Sequence, residues 1–200
     1  KERNYGHLKG VDTVKKIVKS SIRFKVPIVT FYVFSSENWK RPKTEISFLF
    51  KLIRSYFTKE IQSVISQGIK INFLGDLNKL SKDLRSVLKK TEKLTKTNKK
   101  IIVNLAINYG SRQEIFYAFR KLKKRVNLRN FTKNLYTKNM PNPDILIRTG
   151  GKKRLSNFML WQLAYSELFF LDKLWPDFVA KDLKKILKHF YKTKRNFGGI

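Results

Sequence analysis

Cysteine is absent from all 200 residues, which excludes disulfides, thiolate nucleophiles and cysteine-ligated zinc. That absence allows a reducing compartment. Only two histidines occur, His7 and His189, so a histidine-rich metal site is excluded too. No apolar run approaches the ~18 residues that a membrane-spanning helix requires. The chain opens on Lys1-Glu2-Arg3-Asn4-Tyr5-Gly6-His7, which has neither a start methionine nor the apolar stretch of a signal peptide. Acidic residues are scarce: 14 Asp plus Glu stand against 45 Lys plus Arg, a net charge of +31.

What is present limits the reading further. Hydrophobic residues make up 42% and aromatics 14% of the chain, which excludes a disordered basic tail. At ~150 residues per domain, the length suits a single domain over 1–200. A positive surplus points to polyanions: nucleic acid, anionic membrane or phosphorylated substrates. The 33 lysines outnumber the 12 arginines and spread over the polar faces of predicted helices, such as Lys181, Lys184, Lys185 and Lys188. That pattern reads as solvated surface. Arginine is the better fork for phosphate oxygens, so the informative places are those where Arg stands beside Gly, Ser and aromatics.

Val11, Val14, Ile17, Val18 and Ile22 recur at helical spacing and predict a helix over 10–24. The run 26–34 is apolar and β-branched throughout, as in a strand buried on both faces. Further strands are predicted at 69–75, 101–108, 144–149 and 166–171. Helices are predicted over 45–57 and 79–97, after Ser156, and around Leu183, Ile186, Leu187 and Phe190. Ser111 and Glu114 have capping-box spacing ahead of another. The polar stretch 123–143 reads as a mobile excursion. Strands alternating with helices give an α/β fold, with a mostly parallel central sheet surrounded by helices. Ligands of such sheets bind beyond the carboxyl ends of the strands.

Two clusters lie at such ends. Ser35, Ser36, Glu37, Asn38, Trp39 and Arg41 follow the first strand and read either as a polar cap for the next helix or as a substrate loop. After 144–149 come Arg148, Gly150, Gly151, Arg154, Leu155, Ser156 and Asn157. This is either an ordinary glycine turn or a diphosphate cradle in which backbone N–H groups approach the anion. Walker-type spacing is absent. Arg3 and His7 flank Tyr5-Gly6 near a helix start. His189 reads as a surface residue. A metal here must be a hard, oxygen-bound ion such as Mg²⁺, and Glu167 is a candidate ligand or a simple helix-end charge. Helix 45–57 is apolar nearly all round, which suits a wide core face, a dimer contact, or one wall of a pocket for a long hydrocarbon.

Taken in order, these segments resemble the cis-prenyltransferases, specifically undecaprenyl diphosphate synthase or isoprenyl transferase. The resemblance rests on Arg3 with Gly6-His7, on 34–42, 73–76, 104–115, 143–170 and 174–178, and on the closing Phe197-Gly198-Gly199. It covers nearly the whole chain. It implies a homodimeric, Mg²⁺-dependent enzyme that extends an allylic diphosphate, typically farnesyl diphosphate, by isopentenyl diphosphate units with cis double bonds. Arg3 and His7 then contact the allylic diphosphate, and Ser35, Ser36, Glu37, Trp39 and Arg41 belong to the substrate loop. Asn38 stands where the family places a proton acceptor. An amide is a poor base, so a positioning role fits it better. Arg148, Arg154, Leu155 and Ser156 match the isopentenyl diphosphate site, and Glu167 a Mg²⁺ ligand. The expected setting is cytoplasmic, with peripheral contact at the inner membrane face and no nucleic acid.

Three departures accompany the match. Members carry a strand followed by Asp-Gly-Asn-Gly-Arg-Trp-Ala upstream of the Arg3 motif; the expectation is that this strand, with its metal-binding Asp, lies upstream of Lys1. Lys153 stands where some members have a histidine. Asn196 replaces an arginine of the tail. Two other classes remain open: a non-catalytic partner subunit, and a basic domain binding RNA or anionic membrane. The intact loop 35–41 speaks against the first, and the diffuse spread of lysine against the second.

Overall fold

Nine residues, Ile101–Tyr109, form β3, the most deeply buried strand of the computed structural model. The structure describes residues 3–122 and 126–196, with the side chains of Arg3 and Asn4 outside that description. β1 (Ile28–Ser35) and β2 (Ile69–Leu74) flank β3, both parallel to it, in the order β1-β3-β2. Burial on both faces explains why β3 is apolar except at Asn104 and Asn108. Within it, Asn104 is 2% exposed yet fully engaged. It accepts from Asn72 Nδ2 at 2.9 Å and donates to Thr30 Oγ1 at 3.1 Å, in register with both neighbours.

A second pair, β4 (Ile145–Arg148) and β5 (Glu167–Phe170), is also parallel. The expected single sheet is therefore split: no backbone pairing joins β1 to β4 among the described residues. The two parts still share a core. Phe31 of β1 packs with Ile145, Ile147 and Phe169 against α6 (Ala180–Phe190) and α1 (Arg3–Arg23).

Helices cover one face of the three-stranded sheet, and the turns that carry Leu155, Phe158, Met159 and Leu163 pack on the other. α1 and α2 (Lys43–Ser66) lie with α3 (Lys82–Thr95) over one face of β1-β3-β2, burying Val18, Ile46, Leu49, Ile53, Phe57, Leu84 and Leu88. α2 runs nine residues beyond the predicted 45–57, to Ser66, and buries only one stripe, as an amphipathic helix should. α3 starts where Ser81 Oγ accepts from the Leu84 N–H at 3.4 Å. In α6 the stripe Leu183, Ile186 and Leu187 is buried, while His189 is exposed as expected and meets Phe169 edge-on. No helix among the described residues is long and apolar enough to cross a membrane.

Two local expectations fail for the same reason: tertiary partners recruit the residues. α4 (Ser111–Arg120) begins without a capping box. Ser111 Oγ instead accepts from the Leu160 N–H at 2.9 Å, and the Glu114 carboxylate turns into the core. No helix follows Ser156. Ser156, Asn157 and Met159 take positive φ of 51°, 62° and 45°, and the segment to 165 is a chain of turns. The stretch expected to be an excursion contains α5 (Leu128–Thr132), capped by Asn127, with Phe131 buried against Trp161. Residues 123–125 of that stretch lie outside the description.

Candidate active site

The carboxyl ends of β1, β3 and β4 converge on one group of loops. The Ser36–Lys40 turn leaves β1 as a short 3-10 helix, set when Asn38 Oδ1 accepts from the Ser35 N–H at 3.0 Å. Trp39 is anchored rather than free. Its indole N–H donates to Asn108 Oδ1 at 2.7 Å, and its ring meets Phe34 and Phe50 edge-on. Asn108 in turn donates from Nδ2 to the Asp76 carbonyl at 2.6 Å, tying the ends of β3 and β2 together. Gly75 permits this approach: its φ is +128°, and a Cβ there would lie 2.1 Å from the Ile107 carbonyl oxygen.

Arg41 and His7 are brought together by a residue that the sequence did not single out. Glu45 Oε1 accepts from Arg41 Nη1 at 2.9 Å and lies 3.4 Å from His7 Nε2. Its i+4 spacing from Arg41 was the available signal. Arg3 lies outside the described side chains, and Phe197-Gly198-Gly199 outside the described residues.

The turn after β4 differs from the expected anion cradle. Gly150 and Gly151 take left-handed backbone, φ +86° and +70°. Their N–H groups, however, donate to the carbonyls of Lys173 and Leu171 at 2.9 Å each. At this turn only side chains, not these backbone N–H groups, are left to meet an anion. Arg148 Nη1 donates to Ser156 Oγ at 2.8 Å and to the Arg154 carbonyl. Burial and then the neighbouring Arg154 charge both pull the Arg148 guanidinium below its usual pKa. Two arginines held this close repel one another, and a diphosphate between them relieves that repulsion. Leu155 packs against the cluster of Tyr109, Leu146 and Phe158 and anchors the turn.

The two loops touch. Asn157 Nδ2 donates to Glu37 Oε1 at 2.8 Å, and Ser36 Oγ donates to the other Glu37 oxygen at 3.1 Å. Burial pushes the Glu37 carboxyl up, but bonds from Asn157, its own N–H, Ser35 and Ser36 outweigh it and hold the group below its usual range. Behind the loop, Tyr32 stacks on Phe158 at 4.4 Å and donates to the Tyr109 carbonyl at 3.1 Å. Burial and the Glu37 charge push its phenol up to about 12.

Glu167 does not join this group. It opens β5 opposite Ile145, whereas Arg148 pairs with Phe170 at the other end. Three residues of strand separate the two positions by about 10 Å. No group of three or more potential metal ligands gathers at any point among the described residues.

A parallel α/β protein that presents arginines on linked loops at its strand carboxyl ends is, by class, a binder of polyphosphorylated ligands. The comparisons narrow that class. Residues 1–198 match the family model described as putative undecaprenyl diphosphate synthase. The chain is 44% identical to the isoprenyl transferase of Helicobacter pylori strain 26695, covering 100% of this chain and 89% of that protein. It is 40% identical to the ditrans,polycis-undecaprenyl-diphosphate synthase ((2E,6E)-farnesyl-diphosphate specific) of Buchnera aphidicola, covering 100% of this chain and 84% of that protein. Among solved structures it is similar to a probable undecaprenyl diphosphate synthase from Campylobacter jejuni, with TM-score 0.85, 35% identity, and coverage of 96% and 92% of the two chains. Lavandulyl diphosphate synthase from Lavandula x intermedia, solved with dimethylallyl diphosphate, superposes with TM-score 0.92 at 31% identity, covering 98% and 89%. The chain belongs to the undecaprenyl diphosphate synthase family, the isoprenyl transferases.

Proposed function

We propose that this chain condenses isopentenyl diphosphate onto an allylic diphosphate, with farnesyl diphosphate the expected primer, and repeats the step with cis geometry to make a long polyprenyl diphosphate. The observation that carries this reading is the Arg148–Arg154 pair, joined through Asn157 and Glu37 to the loop of β1. In each cycle the allylic C–O bond breaks and diphosphate leaves. A C–C bond forms to isopentenyl diphosphate, which loses one proton to the departing diphosphate. Arg148, Arg154 and Ser156 bind the isopentenyl diphosphate, while Arg41 and His7, gathered on Glu45, bind the allylic diphosphate and stabilise the leaving charge, a role the resemblance also gives Arg3. Asn38 positions the loop and the reacting carbon: its side-chain oxygen is already engaged by the Ser35 N–H. Trp39, held by Asn108 and two phenylalanines, supplies an apolar cover that keeps water from a cation-like allylic group.

A cavity of about 190 Å³ supports a hydrocarbon site on the face below the loop. α1, the second half of α2 and the sheet line it, through Val18, Phe57, Val64, Ile71, Val103 and Leu105. The α2 side of this cavity is lined by the end of 45–57, at Tyr56 and Phe57, and by the later turns through Glu60, Ser63, Val64 and Gln67. Its polar rim includes Lys15, which bonds Glu60 at 3.0 Å and sits over the Tyr56 ring.

Mg²⁺ enters this reading as the ion that the resemblance implies, bound chiefly by substrate oxygens; Glu167 is the ligand the resemblance assigns, and it lies about 10 Å along the strand pair from Arg148, toward the other end of the site. The setting is cytoplasmic with peripheral membrane contact. The single test is incubation of the full-length protein with farnesyl diphosphate, labelled isopentenyl diphosphate and Mg²⁺. Long polyprenyl product is expected, and its formation stops on chelation; a folded sample that makes none defeats the reading.

A homodimer completes it. Phe116, Phe119, Val126, Leu128, Tyr165 and Leu168 are between 45% and 71% exposed, and several line one apolar groove of about 550 Å³ on α4 and α5. Exposed apolar area of this kind marks an interface. Phe119→Glu is expected to convert dimer to monomer in sedimentation velocity; an unchanged sedimentation coefficient would place the interface elsewhere.

A further inference from the structure

The Asn157 side chain bonds three groups from two other elements, and its backbone carbonyl a fourth. Oδ1 accepts from the Arg112 N–H at 2.8 Å, and its carbonyl accepts from the Ser111 N–H at 2.8 Å. Nδ2 donates to Glu37 Oε1 at 2.8 Å and to Gln113 Oε1 at 3.0 Å. The side chain thus ties the first turn of α4 to the loop of β1, while its backbone continues directly from Ser156, which holds Arg148. Its φ of 62° is left-handed, a conformation asparagine tolerates better than most residues. Gly110 makes room for the knot. A Cβ there would lie 2.4 Å from Ser36 Oγ and 2.7 Å from Asn157 Nδ2.

The arrangement is asymmetric in charge. The β1 loop presents a carboxylate, Glu37, toward a turn bearing two arginines, and the neutral amide of Asn157 stands at the junction. An amide serves there because it must accept from a backbone N–H and donate to a carboxylate at the same time. Aspartate fills the same volume but donates nothing, and it sets two carboxylates against each other. Leucine fills it without either bond.

We infer that Asn157 is a positioning residue, which locks the substrate loop to the arginine turn so that the two diphosphate sites keep a fixed separation. The inference rests on the enzymatic reading above. Reaction between two bound diphosphates depends on the distance between their reacting carbons. A lock at the junction therefore acts on turnover of the ternary complex more than on binding of either substrate alone.

The test is a double-mutant cycle on the full-length protein, using Asn157→Asp and Glu37→Gln. Kinetics are measured with farnesyl diphosphate and isopentenyl diphosphate. Asn157→Asp is expected to lower kcat by about tenfold, the loss that follows from one charge-assisted hydrogen bond, with a smaller change in either KM. Glu37→Gln in the Asn157→Asp background restores a donor facing an acceptor, and kcat is expected to rise above that of Asn157→Asp alone. A merely structural role would move thermal stability and show no such rescue. Wild-type kcat and KM in Asn157→Asp, or a double variant no better than the product of its singles, overturns the inference. A wild-type protein that makes no polyprenyl product overturns the enzymatic reading itself, and the inference with it.

Discussion

Arg148→Ala is expected to lower kcat/KM for isopentenyl diphosphate by on the order of 10²–10³-fold, the usual scale for removing one preorganised donor from a developing or bound anion. The effect should fall on function alone. Arg148 lies at the open end of β4, and its two partners, Ser156 Oγ and the Arg154 carbonyl, are exposed enough for water to replace the guanidinium. Thermal unfolding should therefore stay close to that of the wild-type protein. Arg148→Lys should fall between the two, since lysine keeps the charge and loses the fork. Steady-state rates with varied isopentenyl diphosphate, paired with a melting curve, decide the matter. A near-normal rate would put the substrate elsewhere, and a collapsed melting temperature would make Arg148 structural.

The opposite pattern is expected at Glu114, which is fully buried. Its carboxylate accepts from Tyr109 OH at 2.5 Å, Gln162 Nε2 at 3.0 Å and the Tyr136 N–H at 2.7 Å. It binds β3, the turns after Asn157 and the segment after α5 to one point. Burial, reinforced by the Glu114 charge, drives the Tyr109 phenol far above its ordinary pKa, so it remains a donor across the accessible pH range. Glu114→Ala strands three buried donors, each worth about 1–3 kcal/mol. A loss of about 3 kcal/mol or more is expected, which lowers Tm by roughly 6–12 °C in a chain of this size. Glu114→Gln, which retains one carbonyl acceptor, should lose less. Differential scanning calorimetry measures both; a Tm within the error of wild type for the alanine variant would mean that water or a repacked neighbour satisfies all three donors.

Most of the fold was legible because burial on both faces writes itself as apolar, β-branched sequence, as at 28–34 and, apart from two asparagines, at 101–109. Helix faces were legible for the same reason, from the spacing of residues such as Leu84 and Leu88. The strand-end loops could be read because Ser35–Arg41 and Arg148–Ser156 concentrate polar and cationic groups beyond apolar runs. What stayed hidden depends on partners distant in sequence. Ser111 and Glu114 have ideal cap spacing, yet Leu160, Gln162 and Tyr136 claim them. Gly150 and Gly151 look like an anion nest, but carbonyls 20 or more residues later occupy their amides. Asn157 gave no signal beyond standing next to Ser156, and the structure makes it the junction. Neither spacing nor composition could separate Glu167 from Arg148, because strand register alone sets their distance.

The row formed by Thr30, Asn104 and Asn72 has a further consequence, for how the strands find one another. Apolar β-branched segments of similar length pair almost equally well in several alignments, since isoleucine opposite valine differs little from isoleucine opposite isoleucine. A slip of one residue along β3 would turn Asn104 toward the opposite face, away from both partners, and leave its amide unpaired in an apolar layer. The three polar side chains therefore act as a key that admits one alignment of β1, β3 and β2. That alignment brings Ser35 level with Tyr109, which is what sets the substrate loop over the end of the central strand.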